Sequence, residues 1–328
     1  MTEETRLQVR PNDGNSWLTL SGQNSLVARG RRDATALLAK QAPVVDIMEA
    51  LRKSLGEKAK SDEEWRRLAE QGDLQAQFHL GWTFENGLGV PQNYLEAVKW
   101  YRKAAEEGDG DAQCHLGHMY YYGRGVPQDF TEAAKWIRVD AEFGNAGSQY
   151  WLGELYENGR GVPQDDAEAV CWYRKAADQG FAGAQYNLGI AFFNGKGVMQ
   201  DYVEAAQWYQ KAAEQGHVHA QSYLGWMYET GRGVPNDYVE AAKWYRKAAE
   251  QEHPYAQYNL GNLYMSGRGV VRDEVQAHMW MNLAAANTSG DDHRRYAEGR
   301  DRLAGRMHTT QIVEAQRLAR DWKPVQDK

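Results

Sequence analysis

Between residues 146 and 158 the apolar positions Tyr150, Leu152, Leu155 and Tyr156 fall at helical rather than alternating spacing. Gly159-Arg160-Gly161-Val162-Pro163 then interrupts the helix, with glycines supplying backbone that other residues reach only under strain. Asp165 followed three residues later by Glu168 is a capping-box arrangement that opens a second helix. That helix carries Ala169, Trp172, Tyr173, Ala176 and Ala177 on its apolar face, and Gly180 closes it as a C′ glycine. The stretch predicts an antiparallel helical hairpin.

The same pattern returns along the chain. Trp100, Trp136, Trp172, Trp208, Trp244 and Trp280 recur every 36 residues. A Leu-Gly pair keeps the same period at Leu80, Leu116, Leu152, Leu188, Leu224 and Leu260, each followed by a Gly-x-Gly-Val turn. Helix-start pairs recur at Asn93/Glu96, Asp129/Glu132, Asp201/Glu204, Asp237/Glu240 and Asp273/Gln276. Self-similarity at this period means stacked supersecondary units, each contacting its neighbours, rather than one globular core. The predicted fold is all-α, a solenoid of about six 36-residue helical hairpins with helical caps. The small residues have a packing role here: Gly153 and its equivalents admit the second helix, and Ala176 and Ala177 leave room for the next unit.

The residues A-Q-x-x-L-G-x-x-Y-x-x-G-x-G-V-P-x-D-x-x-E-A-x-x-W-Y-x-K-A-A-x-x-G carry a family resemblance. The pattern resembles the Sel-one-like repeat, a relative of the tetratricopeptide repeat, over residues 73–290 as six units. The resemblance implies a right-handed α/α superhelix that serves as a protein–protein interaction scaffold, as in bacterial adaptors of signalling, envelope biogenesis and host contact. Residues 34–72 read as a helical amino-terminal cap and half-repeat, and residues 291–328 as carboxyl-terminal capping helices. In the first of these, Pro43 precedes an amphipathic face of Val44, Ile47, Met48, Leu51 and Leu55, and Ser61-Asp62-Glu63-Glu64 forms another capping box before Trp65 and Leu68. Residues 1–33, rich in Ser, Asn, Gly and Arg with an isolated Trp17, read as irregular.

Composition narrows the partners. A formal net charge of −7 speaks against binding nucleic acid by phosphate neutralisation. The amino terminus lacks an apolar signal core, and no run of about 20 apolar residues predicts membrane insertion. Two cysteines, Cys114 and Cys171, occupy different places in their repeats and do not make a disulfide framework, so the expected location is cytoplasmic.

Chemistry is sparse. The Gly-Arg-Gly-Val turns lack the preceding strand and the Lys-Ser/Thr ending of a phosphate loop. Their cations, Arg124, Arg160, Lys196, Arg232 and Arg268, form a ladder that is solvated or paired with nearby acids. Cys114, His115 and His118 offer ligand-type atoms without a fourth ligand at sensible spacing, so no metal and no cofactor are expected. His217 and His219 read as polar residues of a helix-to-helix corner. Cysteine-rich relatives described as β-lactamases carry a cysteine pair in each repeat. That pair is missing here, which disfavours the enzymatic alternative and leaves no catalytic residue to name.

The expected function is therefore a non-enzymatic scaffold binding another protein or peptide in a concave groove lined by first helices. The groove candidates are Phe78, Trp82, Tyr121, Tyr150, Glu154, Glu157, Tyr186, Phe193, Trp226, Glu229 and Tyr258, with the rings as anchors and the acids orienting the guest. The second repeat departs from its siblings. Val139 and Phe143 form an apolar pair where the four neighbouring copies carry Lys and Gln or Glu, and Asp140 replaces a packed alanine. This outer patch is expected to be covered by the amino-terminal segment or a second subunit.

Overall fold

The computed structural model describes residues 7–9, 18–20 and 62–324. Within the first 33 residues, expected to be irregular, β1 (Leu7–Val9) and β2 (Leu18–Leu20) pair antiparallel, with Leu7 opposite Leu20 and Val9 opposite Leu18. Trp17, Ser61 and the helix expected from Pro43 to Leu55 lie outside the described residues, as does most of the segment proposed to cover Val139 and Phe143. Fifteen helices account for nearly everything else that is described, so the fold is all-α.

The chain divides into two compact units, Met1–Gln128 and Asp129–Asp327. The first contains α1 (Asp62–Glu70), α2 (Leu74–Asn86), α3 (Tyr94–Glu106) and α4 (Gly110–Tyr122). Here α2 and α3 pair as the first hairpin, α1 packs on α2 as the half-repeat, and Trp65 stacks on His79 at 4.3 Å.

The second unit begins with α5 (Phe130–Glu142). Four complete hairpins follow: repeat three is α6 (Ala146–Asn158) with α7 (Asp166–Asp178), and repeat four is α8 (Ala182–Asn194) with α9 (Tyr202–Glu214). Repeat five is α10 (Val218–Thr230) with α11 (Tyr238–Glu250), and repeat six is α12 (Pro254–Ser266) with α13 (Glu274–Ala286). Two capping helices, α14 (Gly290–Ala304) and α15 (Thr309–Asp321), both pack on α13.

The expected start signals hold. Asp165 accepts from the backbone N–H groups of Ala167 and Glu168, and Asp201 and Asp237 repeat that geometry. Two glycines do more than turn the chain. A Cβ on Gly153 would lie 2.6 Å from the Tyr173 ring, so the second helix packs directly on the first. Gly161, at φ +70°, rests against the Phe130 carbonyl at the start of the preceding repeat's second helix, where a side chain would collide with backbone.

Five of the six periodic tryptophans are buried, as the periodicity predicts, and Trp136 is half-buried. Trp208 lies in one cluster with Ala169, Tyr173 and Leu188, and Trp244 lies in the next with Ala205, Tyr209 and Leu224. Truncating such a buried indole to alanine costs about 3–5 kcal/mol. Their outer faces carry lysines: Lys175 Nζ sits 3.6 Å above the Trp172 ring and Lys211 Nζ 3.8 Å above that of Trp208. A glutamine ladder fixes the register between units. Gln149, Gln185, Gln221 and Gln257 each donate through Nε2 to the carbonyl of Ala141, Ala177, Ala213 and Ala249 at 3.1 Å. Gln179, Gln215 and Gln251 donate in turn to the side-chain carbonyls of Gln149, Gln185 and Gln221. The buried amides of Gln149, Gln185, Gln221 and Gln257 are satisfied across the repeat boundary, which makes slippage costly, and the second set of bonds closes within each hairpin.

Asp140 has its reason. The buried carboxylate accepts from Ser148 Oγ at 2.5 Å, so two alanine positions of the pattern have changed together. Of the apolar pair beside it, Phe143 is 81% exposed, whereas Val139 is half-buried in the position that carries the ring-covering lysine elsewhere.

Candidate functional site

In the second unit, the candidate face is made by the first helices α6, α8 and α10. The rings of Tyr150 and Tyr186 lean on the second helix of their own hairpin, 5.9 Å from Tyr173 and Tyr209 respectively. Each also meets the next repeat's corner: Tyr150 lies 5.1 Å from Phe181, and Tyr186 stacks at 4.5 Å on His217. Phe193 and Trp226 touch edge to face at 5.6 Å, and Phe193 also lies 5.2 Å from Tyr202 and 6.2 Å from Tyr223. Tyr173 and Tyr209 are buried, Tyr223 is 38% exposed, and the other rings are half-buried. Tyr186, Tyr223, Phe193 and Trp226 thus form one aromatic cluster across repeats four and five, and Tyr150 with Phe181 a second at the corner before it.

The carboxylates of this face have internal partners. Tyr173 donates its O–H to Glu157 at 2.7 Å, and Tyr245 donates to Glu229 at 2.7 Å. Glu154 accepts from Tyr150 at 3.2 Å and from Asn187 Nδ2 of the next repeat at 3.0 Å. Burial, then Glu154 and Glu157, push the Tyr173 hydroxyl well above the usual tyrosine range, and burial and Glu229 do the same to Tyr245. Both phenols therefore remain donors at any physiological pH. The orienting role expected of Glu154, Glu157 and Glu229 is thus shared with a structural one.

Repeat four departs from this arrangement. Its tyrosine, Tyr209, is fully buried, but position 193 is Phe rather than Glu, and the Tyr209 hydroxyl has no hydrogen-bond partner among the described residues. A buried donor left unmet costs about 1–3 kcal/mol. Tyr223 stacks on the Tyr209 ring at 5.2 Å with 18° between planes. Burial, followed by the hydroxyls of Tyr223 and Tyr186, pushes Tyr209 well above the usual range.

The turn cations mostly lie over rings. Arg160 sits 5.5 Å above Phe130, Arg268 5.3 Å above Tyr238, and Arg232 lies 5.6 Å from Tyr202 and 5.0 Å from Trp226. Where the ring is replaced by Asp166, the cation is Lys196, which pairs with Asp166 and with Glu157 at 3.2 Å each. At the corners, His217 and His253 accept the backbone N–H of Ala220 and Ala256 through Nδ1 at 3.3 Å, capping α10 and α12. Burial first, and the neighbouring His219 second, lower each of them to about 4.

Tyr258 is set apart from the open face, because Tyr296 of α14 stacks on it at 4.6 Å and Gly299 admits its ring closely. The first unit presents Trp82 and Tyr121, both half-buried, the latter packed edge to face on Tyr122 at 4.9 Å. Phe78 belongs to a tighter cluster. Its ring lies 5.4 Å from His115, which sits 3.0 Å from Glu85 Oε2, and Tyr101 donates to the same oxygen at 2.6 Å. Burial opposes the charge on both members of the Glu85–His115 pair, yet their mutual attraction leaves the carboxyl lowered and the imidazole raised. Burial and the nearby His115 push His118 down to about 4. Among the described residues, no group of three or more His, Cys, Asp or Glu is placed to hold a metal ion. Cys114 and Cys171 are not disulfide-bonded.

Sequence reasoning missed the tyrosine–glutamate pairs. Their signal is present: Glu85, Glu157 and Glu229 are each followed sixteen residues later by Tyr101, Tyr173 and Tyr245. In repeats two and six both positions change together, to Tyr121 with Ile137 and to Met265 with Met281.

Stacked helical hairpins with aromatic faces and internally paired acids define a helical-repeat protein of the interaction type. The family described as Sel1 repeat matches residues 74–109, 110–138, 146–181, 182–217, 218–253 and 254–289. The chain belongs to the Sel1 repeat family, whose members generally mediate protein–protein interaction. It is similar to a protective antigen present in uropathogenic Escherichia coli strains that displays an SLR fold, with 36% identity and a TM-score of 0.71 over 80% of this chain. The chain spans 56% of that protein's length. It is also similar to a Sel1 repeat protein from Oxalobacter formigenes, with 29% identity, a TM-score of 0.60, and coverage of 80% of this chain and 98% of that one. No curated protein matches the chain. Among the described residues no helix is long and apolar enough to cross a membrane.

Proposed function

We propose that the chain is a non-enzymatic adaptor whose second unit holds a peptide or protein segment against the aromatic face of α6, α8 and α10. The observation that carries this reading is the run of partly open rings from Tyr186 through Tyr223 and Phe193 to Trp226, which meet across repeats four and five, with the half-buried Tyr150 on Phe181 at the preceding corner. Rings of this kind supply contact area at low entropic cost and are the usual anchors of a docked segment. Trp82 and Tyr121 serve the same purpose within the first unit, and Phe143 offers a separate outer docking point. Two cysteines that form no disulfide are consistent with a reducing, cytoplasmic location, which fractionation of native cells tests.

The reading is tested by selecting random dodecapeptides displayed on phage against the full chain. Selected peptides should lose at least tenfold in affinity for a Phe193→Ala/Trp226→Ala variant whose helical circular dichroism and melting temperature stay near those of the parent. Peptides that bind the variant equally well would place docking elsewhere, and a collapse in melting temperature would make these rings core.

A further inference from the structure

The fourth repeat keeps a buried donor and lacks its acceptor. In repeats one, three and five the tyrosine hydroxyl reaches a glutamate at the end of the first helix, at 2.6, 2.7 and 2.7 Å. Glu157 and Glu229 are half-buried, so the hydroxyls of Tyr173 and Tyr245 point toward the open side of their hairpins. Tyr209 occupies the same place in its repeat, is 0% exposed and has no partner among the described residues. Phenylalanine would fill that space without an unmet donor.

The surroundings fit a carboxylate that comes from outside. Phe193 stands where the glutamate would be, and Tyr223, partly exposed, lies across the Tyr209 ring. Trp226 walls the same place, and the Arg232 guanidinium lies 5.0 Å from the Trp226 ring. The nearest acid on α10, Glu229, is engaged by Tyr245. We propose that Tyr209, Phe193, Tyr223, Trp226 and Arg232 form a subsite for an acidic side chain of a bound peptide, the guest supplying the acceptor that repeat four lacks. A rotation of the Tyr223 ring, the kind of side-chain change common at interfaces, opens the hydroxyl to the guest. The carboxylate then accepts from the phenol and faces Arg232, and the rings cover the apolar flanks. This inference rests on the docking face proposed above and adds the chemistry of its guest.

The test uses the full chain and two fluorescein-labelled nonapeptides of Gly and Ser around a central Leu-Glu-Leu or Leu-Gln-Leu, read by fluorescence anisotropy. The Glu peptide should bind roughly tenfold more tightly than the Gln peptide, the loss expected for one charge-assisted hydrogen bond. Tyr209→Phe should cut that preference to the share Arg232 contributes, weakening the Glu peptide far more than the Gln peptide, and raise the melting temperature. Phe193→Glu, which gives Tyr209 an acceptor of its own, should also erase the preference. Equal binding of both peptides by the parent, lost in Trp226→Ala, overturns the carboxylate subsite and leaves the docking face standing. A preference for Glu that is undiminished in Tyr209→Phe likewise overturns the subsite, and binding of neither peptide overturns it for repeat four altogether.

Discussion

Repeats three and four share their helix lengths, their capping aspartates and their buried Leu-Gly pairs, yet they close one slot in different ways. In repeat three the slot holds Tyr173 hydrogen-bonded to Glu157, whereas in repeat four it holds Tyr209 beside Phe193 with its hydroxyl unmet. The corner above the slot differs too. Phe181 packs on Tyr150 and gives α8 no side-chain cap, while His217 packs on Tyr186 and caps α10. Below it, Arg160 covers the Phe130 ring, whereas Lys196 pairs with Asp166. The backbone pattern is therefore tolerant of which interaction fills a position, provided that the two partners change together. Tyr209 is the place where only one of them has changed.

Making repeat three resemble repeat four breaks the comparison most severely. Glu157→Phe strips the 2.7 Å acceptor from Tyr173, leaving its hydroxyl only the 3.4 Å contact with Glu154, and removes one partner from Lys196. The expected loss is about 2–4 kcal/mol, or roughly 5–10 °C in melting temperature for a unit of this size. Adding Tyr173→Phe should recover about half, because the poorly met donor disappears with it. A thermal-denaturation cycle over the two singles and the double should give a coupling of about 1–2 kcal/mol. Strictly additive effects would mean that the hydroxyl and the carboxylate do not work as a pair.

The shared frame of both repeats was legible in the chain because its causes are local. Capping aspartates and turn glycines act within a few residues, and the 36-residue return of Leu, Tyr and Trp announces the stacking of one repeat on the next; the structure places Asp165, Gly161 and Trp208 accordingly. What was not legible depends on reach between elements. The pattern contains Gln149 and Gln179, but only the stacking shows one amide donating to the other thirty residues away. The ladder of turn cations was read as solvated or paired with acids. In four of five positions, spread over the two units, the cation instead lies over a ring. Lys196 follows the expected acid pairing because its ring is Asp166. Tyr258 was indistinguishable from Tyr150 and Tyr186 in the repeat grammar, since its partner Tyr296 comes from a helix outside the repeats.

The corner contrast predicts a pH dependence. His217, held at about 4 in the folded state by burial and by His219, has an ordinary value of 6.5 when unfolded, and His253 behaves likewise. A lowered folded value means that the unfolded chain takes up protons first. Stability is thus full above about pH 6.5 and falls as pH drops towards 4. Protonation also removes the Nδ1 acceptor that caps α10. Each half-buried histidine should contribute on the order of 1–3 kcal/mol of acid sensitivity. His217→Asn keeps a cap of the kind Asn145 provides in repeat three. Melting curves between pH 7 and 4.5 should be flatter for this variant than for the parent, and parallel curves would assign the sensitivity to other groups.

The smallest expected effect separates the two kinds of contact at the turns. Lys196 is exposed by about two-fifths (41%) and pairs with carboxylates that are themselves partly in water, so its Coulombic contribution is screened. Lys196→Ala should cost less than about 1 kcal/mol in dilute buffer, and that cost should largely vanish in 1 M salt. Arg160 makes its contact with the face of Phe130, through dispersion and the ring's quadrupole as well as charge. Arg160→Ala should cost a similar amount in dilute buffer but retain most of it at high salt. Chemical denaturation with urea, which leaves ionic strength under independent control, distinguishes the two. Equal salt sensitivity of both variants would show that the turn cations act through net charge alone, and that exchanging a ring for an acid at position 166 is energetically invisible.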